Sequence, residues 1–202
     1  MRKRLALLVA LALAGCYAQL EEPSVSVTRP ICDAATPNCI VGAGLPLDTI
    51  QASGRNTFKI PLGNQDLFKP ETALGPTKLT SHLILNQAVL VITTDGVDFN
   101  GFIEAQVLSA PQEATSTIPD PCAAPTVCRV LAKFDRQTQG PADRRLVLKG
   151  TGTDLIPLID QVNHQVIIEI HVKGTAPGSP AIPQWGANII IDMGLSARAN
   201  YP

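Results

Sequence analysis

Gln165-Val-Ile-Ile-Glu-Ile-His-Val-Lys173 decides the fold. Successive side chains of a strand point to opposite faces, so a period of two sorts this run into two sets. Val166, Ile168, Ile170 and Val172 share one face, and Glu169, His171 and Lys173 share the other with Ile167. Reading outward, the stretch from Asn188 to Ala199 repeats the pattern. There Ile189, Ile191, Met193, Leu195 and Ala197 face inward, with Asp192, Ser196 and Arg198 outward. Phe58, Ile60 and Leu62 make a third strand, and Pro61 marks it as an edge because proline cannot donate to a ladder. Leu83 to Thr93 is apolar on both faces around Val89-Leu-Val-Ile92, which suits a central strand. Phe102 to Leu108, Cys128 to Phe134 and Leu146 to Lys149 complete the set.

These runs are separated by Gly, Pro and Asp rather than by helical patterns. That spacing predicts an all-β chain, an antiparallel β-sandwich of about seven to eight strands with at most one short helix. The one helical candidate is Asp154-Leu-Ile-Pro-Leu-Ile-Asp-Gln-Val162, capped by Thr153 or Asp154, with Pro157 tolerable only in a first turn. Gly150-Thr-Gly-Thr-Asp154 has a superficial likeness to a phosphate cradle, but without the rest of a P-loop it reads as a turn out of a strand.

The first 16 residues follow a different logic. Met1-Arg-Lys-Arg4 is basic and Leu5 to Ala14 is unbroken and apolar. Ten residues reach about 15 Å as a helix, half of a hydrocarbon core, so the run is an export-signal core and not a stable span. Leu13-Ala14-Gly15-Cys16 closes it and resembles the lipobox of bacterial lipoproteins. The resemblance covers residues 1–16 and implies that Cys16 receives diacylglycerol on sulfur, becomes the new N-terminus by cleavage, and takes a further fatty acid there. Several acyl chains at ~0.8 kcal/mol per buried CH₂ hold a protein on a membrane almost irreversibly. Tyr17 follows Cys16 where an Asp would retain such a protein in the inner membrane, so the expected address is the outer membrane. The chain then divides into a signal peptide over residues 1–15, a Pro- and Ser-rich tether over 16–47, and a β-sandwich domain over 48–202.

Charge narrows the partners. The chain has 16 Lys and Arg against 17 Asp and Glu. Removing Arg2, Lys3 and Arg4 with the signal leaves 13 basic residues against the same 17 acidic ones, a formal −4. Nucleic-acid binding needs clustered cations to neutralise phosphates, and no basic stripe is present, so nucleic acid is excluded as a partner.

Five Cys is an odd number, which in an exported chain flags one residue for another fate. With Cys16 assigned to lipid, four remain in two close pairs, Cys32 with Cys39 and Cys122 with Cys128. Local pairing into disulfides is the simplest connectivity in an oxidising compartment. The rival reading, a four-thiolate zinc site, meets spacings longer than the usual roughly two to four residues between ligands.

Thr93-Thr-Asp-Gly-Val-Asp-Phe-Asn-Gly-Phe102 brings Asp95, Asp98 and Asn100 close together as candidate calcium ligands. An EF-hand alternation fails at Val97, and Asp-Gly with Asn-Gly equally signals a hairpin between the flanking strands. The loop from Gly174 to Trp185 carries the only Trp. Trp185 is read either as an exposed anchor, lining a ligand pocket with Phe99 and Phe102, or as a plug sealing one end of the sandwich. His82, His164 and His171 lie too far apart in sequence for a ligand pair on one element, and surface or turn positions are expected for them. No linear catalytic motif is present, so the expectation is a non-enzymatic envelope module with an envelope protein as partner and no cofactor. The alternatives are a lipoprotein that binds a small ligand, glycan or lipid with its end loops, and a hydrolase whose groups converge from distant loops.

Overall fold

The structure is a computed structural model that describes residues 17–42, 44–53, 55–62, 71–74, 77–109, 122, 128–160 and 162–200. Residues 1–15, read above as an export signal, and Cys16 lie outside the described residues. The deciding run forms β9 (Gln165–Gly174), flanked by β3 (Thr57–Pro61) and β6 (Phe102–Ser109). The other main strands are β1 (Tyr17–Pro30), β4 (Glu71–Leu74), β5 (Thr77–Ile92), β7 (Arg129–Asp135), β8 (Arg145–Gly150) and β11 (Ala187–Asn200). They form one antiparallel sheet in the order β1-β11-β5-β8-β7-β6-β9-β3, with β4 also paired to β5. Two short strands, β2 (Ile40–Val41) and β10 (Gln184–Trp185), pair with each other at one end.

The sheet turns back on itself and buries its inner face. Ile60 of β3, Leu85 of β5, Val107 of β6, Leu131 of β7, Ile168 of β9 and Ile191 of β11 converge from the two halves on one spot. Each such burial contributes about 1.5–3 kcal/mol, which is what holds the halves together. β5 is central, with β11 on one side and β8 and β4 on the other, as its apolar character on both faces requires. β3 ends the sheet, so Pro61 sits where no ladder partner is needed. The all-β sandwich-like class and its short helical content are as the sequence predicts.

Gly150 is required where it stands. A Cβ there would run into the Leu85 and Asn86 carbonyl oxygens, because the end of β8 lies close against its sheet neighbour β5. The chain leaves β8 through Thr151, whose hydroxyl donates to the Val130 carbonyl, and through Gly152 at φ +79°. The segment is a turn out of a strand.

Three features differ from the sequence reading. Residues 17–30 are not tether: β1 pairs with β11 from Tyr17 opposite Asn200 to Pro30 opposite Asn188. Cys32, Cys39 and Ile40 lie buried in the main core, so 31–40 belongs to the domain as well. The helical candidate shrinks to a 3₁₀ turn, Ile156–Leu158, started by the Asp154 carboxylate accepting from the Ile156 amide. A one-turn helix, α1 (Arg136–Gln139), stands instead after β7, with Asp135 accepting from the Gln137 amide and Gly140 closing it.

Candidate functional site

The loop from Thr93 to Gly101 is not a hairpin. β5 already has partners on both sides, so the loop leaves β5 and crosses to β6 in the other half of the sheet. Its oxygens are engaged within the loop and by a neighbour. Asp98 Oδ1 accepts from the Asn100 amide at 2.9 Å and Oδ2 from Asn100 Nδ2 at 2.8 Å. Asp95 Oδ1 accepts from Arg144 Nη1 at 2.9 Å, while Arg144 Nη2 donates to the Thr94 carbonyl. Asp95 and Asp98 thus serve Arg144 and Asn100, and this network fixes the crossing.

That crossing places Phe99 and Phe102 beside Trp185, which Ile40 holds through the β2–β10 pair. The Trp185 and Phe99 rings meet edge to face at 5.8 Å, and Phe99 and Phe102 lie 5.3 Å apart. The sequence reading named these three together, and the structure does bring them together. All three are 0% exposed, however, so they plug the end of the sandwich and do not line an open pocket. The aromatic pairs interlock at the expense of one polar group, since the Trp185 Nε1–H has no hydrogen-bond partner among the described residues.

The histidines occupy separate places. His164 sits in the turn before β9 at φ +50°. His82 Nδ1 lies 2.8 Å from Asp154 Oδ2, while Asp154 Oδ1 accepts from the Leu83 and Ile156 amides. His171 Nε2 lies 2.8 Å from Glu169 Oε2. Glu169 differs from the solvent-facing position read from alternation: it is 0% exposed. Leu108, Val130 and the Cys122–Cys128 disulfide form a second small apolar cluster on that side of the sheet. Cys122, Glu169 and His171 bring ligand-type atoms within 4.8 Å of one another, an arrangement no linear spacing announces. Cys122 is bonded to Cys128, so the trio is a carboxylate–imidazole pair beside a disulfide rather than a thiolate site. Cys32 and Cys39 form the other disulfide. Asp160 is held below the usual aspartate range chiefly by the Asn163 side chain, which donates Nδ2 to Oδ2 at 2.6 Å.

Among the described residues, two of the open grooves are the most spacious. The first, of about 550 Å³, lies at the β2–β10 end and is lined by Thr36, Asn38, Thr49, Gln51, Ser53 and Gln184, together with Asp48 and a few apolar groups. The second, of about 460 Å³, runs between the two strands that end the sheet, with Arg29 and Pro30 of β1 on one side and Thr57 to Ile60 of β3 on the other. Sequence reasoning missed both, because each depends on strands remote in the chain lying side by side.

No family model matches the chain, and no curated protein matches it. Among solved structures, a Nora virus structure aligns at a TM-score of 0.32 and 9% identity, over 99% of this chain and 66% of that one. The VP1 pentamer of Washington University polyomavirus aligns at 0.29 and 10%, over 96% of this chain and 97% of that one. Likenesses this weak carry nothing about activity or partners.

Proposed function

We propose that this chain is an exported lipoprotein, anchored through acylated Cys16 and most at home in the outer membrane, whose β-domain is a non-enzymatic interaction module of the cell envelope. The observation that carries the anchor is the cysteine pairing: Cys32–Cys39 and Cys122–Cys128 are joined, which leaves Cys16 as the odd residue directly after a basic and apolar leader. Two disulfides also suit an oxidising compartment. The interaction role is supported by the second groove, where the two ends of the sheet face each other without pairing. Crosslinking the full chain in intact envelopes, followed by affinity recovery, should yield a discrete partner protein; recovery of the chain alone would contradict the role.

A second reading is favoured by the first groove. Its amides and hydroxyls, with Asp48 the single carboxylate among the described lining residues, suit a neutral polyhydroxylated ligand such as a glycan. A glycan array showing saturable binding that Gln51→Ala and Gln184→Ala weaken would support it, and a blank array would remove it.

A further inference from the structure

The two strands that end the sheet are both edges. Among the described residues β1 pairs only with β11, and β3 only with β9. Unpaired edges expose backbone donors and acceptors that template an added strand. Just past β3, the Leu62 amide bonds the carbonyl of His164, the residue before β9, and so continues their ladder. Alternation along an antiparallel strand then points the Thr57 and Lys59 amides away from β9, toward the groove. Pro61, which has no N–H, falls at the same free-edge parity.

The groove between the edges is apolar below and cationic at its rim. Ile31, Ile60 and Ile189 line its floor, and Ile31 is only partly buried there. Phe58 is only partly buried on the other side. Arg29, Arg55 and Lys59 line the groove, all exposed and none with an ion-pair partner among the described residues. Among the described residues, the one acidic group lining it, Asp33, is turned to Thr36, whose amide and hydroxyl donate to its Oδ1 at 2.7 and 2.8 Å.

From this we infer that the groove between β1 and β3 receives an extended, acidic segment of a partner protein, added as a strand between the two edges. Alternate apolar side chains of that segment enter toward Ile31 and Phe58, and its carboxylates meet Arg29, Arg55 and Lys59. This is strand addition, in which backbone pairing supplies affinity and the alternating side chains supply selectivity. The inference rests on the interaction role proposed above and names its surface and the chemistry of its partner.

The probe is a labelled peptide of about six alternating Val and Glu residues, a typical strand length, titrated into the full chain by fluorescence anisotropy. Saturable binding is expected, with slower hydrogen exchange at the Thr57 and Lys59 amides. Replacing Arg29, Arg55 and Lys59 together by Glu should weaken it about tenfold or more, three rim charge pairs being reversed. Thr57→Pro, which removes a free-edge donor while keeping the charges, should weaken it too. A Val–Lys peptide that binds equally well, binding with no change at those two amides, or self-association of the chain that protects them without peptide would each overturn the inference. If the envelope crosslinking recovers a partner whose contacts avoid Arg29, Arg55 and Lys59, the groove assignment falls and the interaction role stands.

Discussion

Trp185 shows how burial overrides a loop's composition. Its Pro- and Gly-rich surroundings fit an exposed anchor, but the β2–β10 pair folds it inward against Phe99. Its fluorescence is therefore expected to be blue-shifted and nearly unquenched by acrylamide in the folded protein; a red-shifted, readily quenched emission would contradict the plug. Asp160 gives a second test at this scale. Its carboxyl sits below the ordinary value because Asn163 binds the ionised form. A depressed folded value contributes stability that is present above the unfolded value, about pH 3.9, and lost as pH falls through the folded one. Asn163→Ala removes the largest cause and should move the acid-unfolding midpoint, followed by circular dichroism, to higher pH; an unmoved midpoint would contradict that role. The local cysteine pairs were legible because their partners are close in sequence. The placement of Cys122 beside Glu169 and His171 was not, since it depends on a tertiary approach that no spacing encodes.

Among the elements, β9 and β11 were legible because their alternation is long, and β5 because its second half is apolar on both faces. β1 was missed although Ser24-Val-Ser-Val-Thr28 alternates as well, because Pro23 and Pro30 frame it and the Pro-rich stretch beyond reads as linker. In the sheet Val27 stands opposite Ile191 and packs against the core. Val27→Asp should lower stability by about 1–3 kcal/mol in urea unfolding, the cost of placing a carboxylate against an apolar surface. A tether would tolerate the change, so an unaltered midpoint would remove β1 from the sheet. The Thr93–Gly101 loop teaches a related lesson. Asp-Gly signals a turn truthfully, but whether the flanking strands pair with each other depends on partners supplied from elsewhere in the chain.

For the whole molecule, the proposed anchor and the proposed groove stand at opposite ends of one strand. β1 begins at Tyr17, directly after Cys16, and reaches Arg29 and Pro30 at the groove. At about 3.3 Å per residue that is roughly 40 Å of extended chain, so a lipid on Cys16 would sit about that far along the strand from the groove. The length comes from strands in place of a flexible linker: the Tyr17–Glu22 part of β1 pairs with the far half of β11, which pairs in turn with the first half of β5. The near-neutral formal charge of −1 likewise averages residues 1–15, at +3, with residues 16–202, at −4. The most direct measurement of the central claim is Cys16→Ser, followed by metabolic fatty-acid labelling and membrane fractionation. The account predicts that the label disappears and that the protein leaves the membrane fraction; a variant that stays in the membrane to the same extent as the original would contradict it.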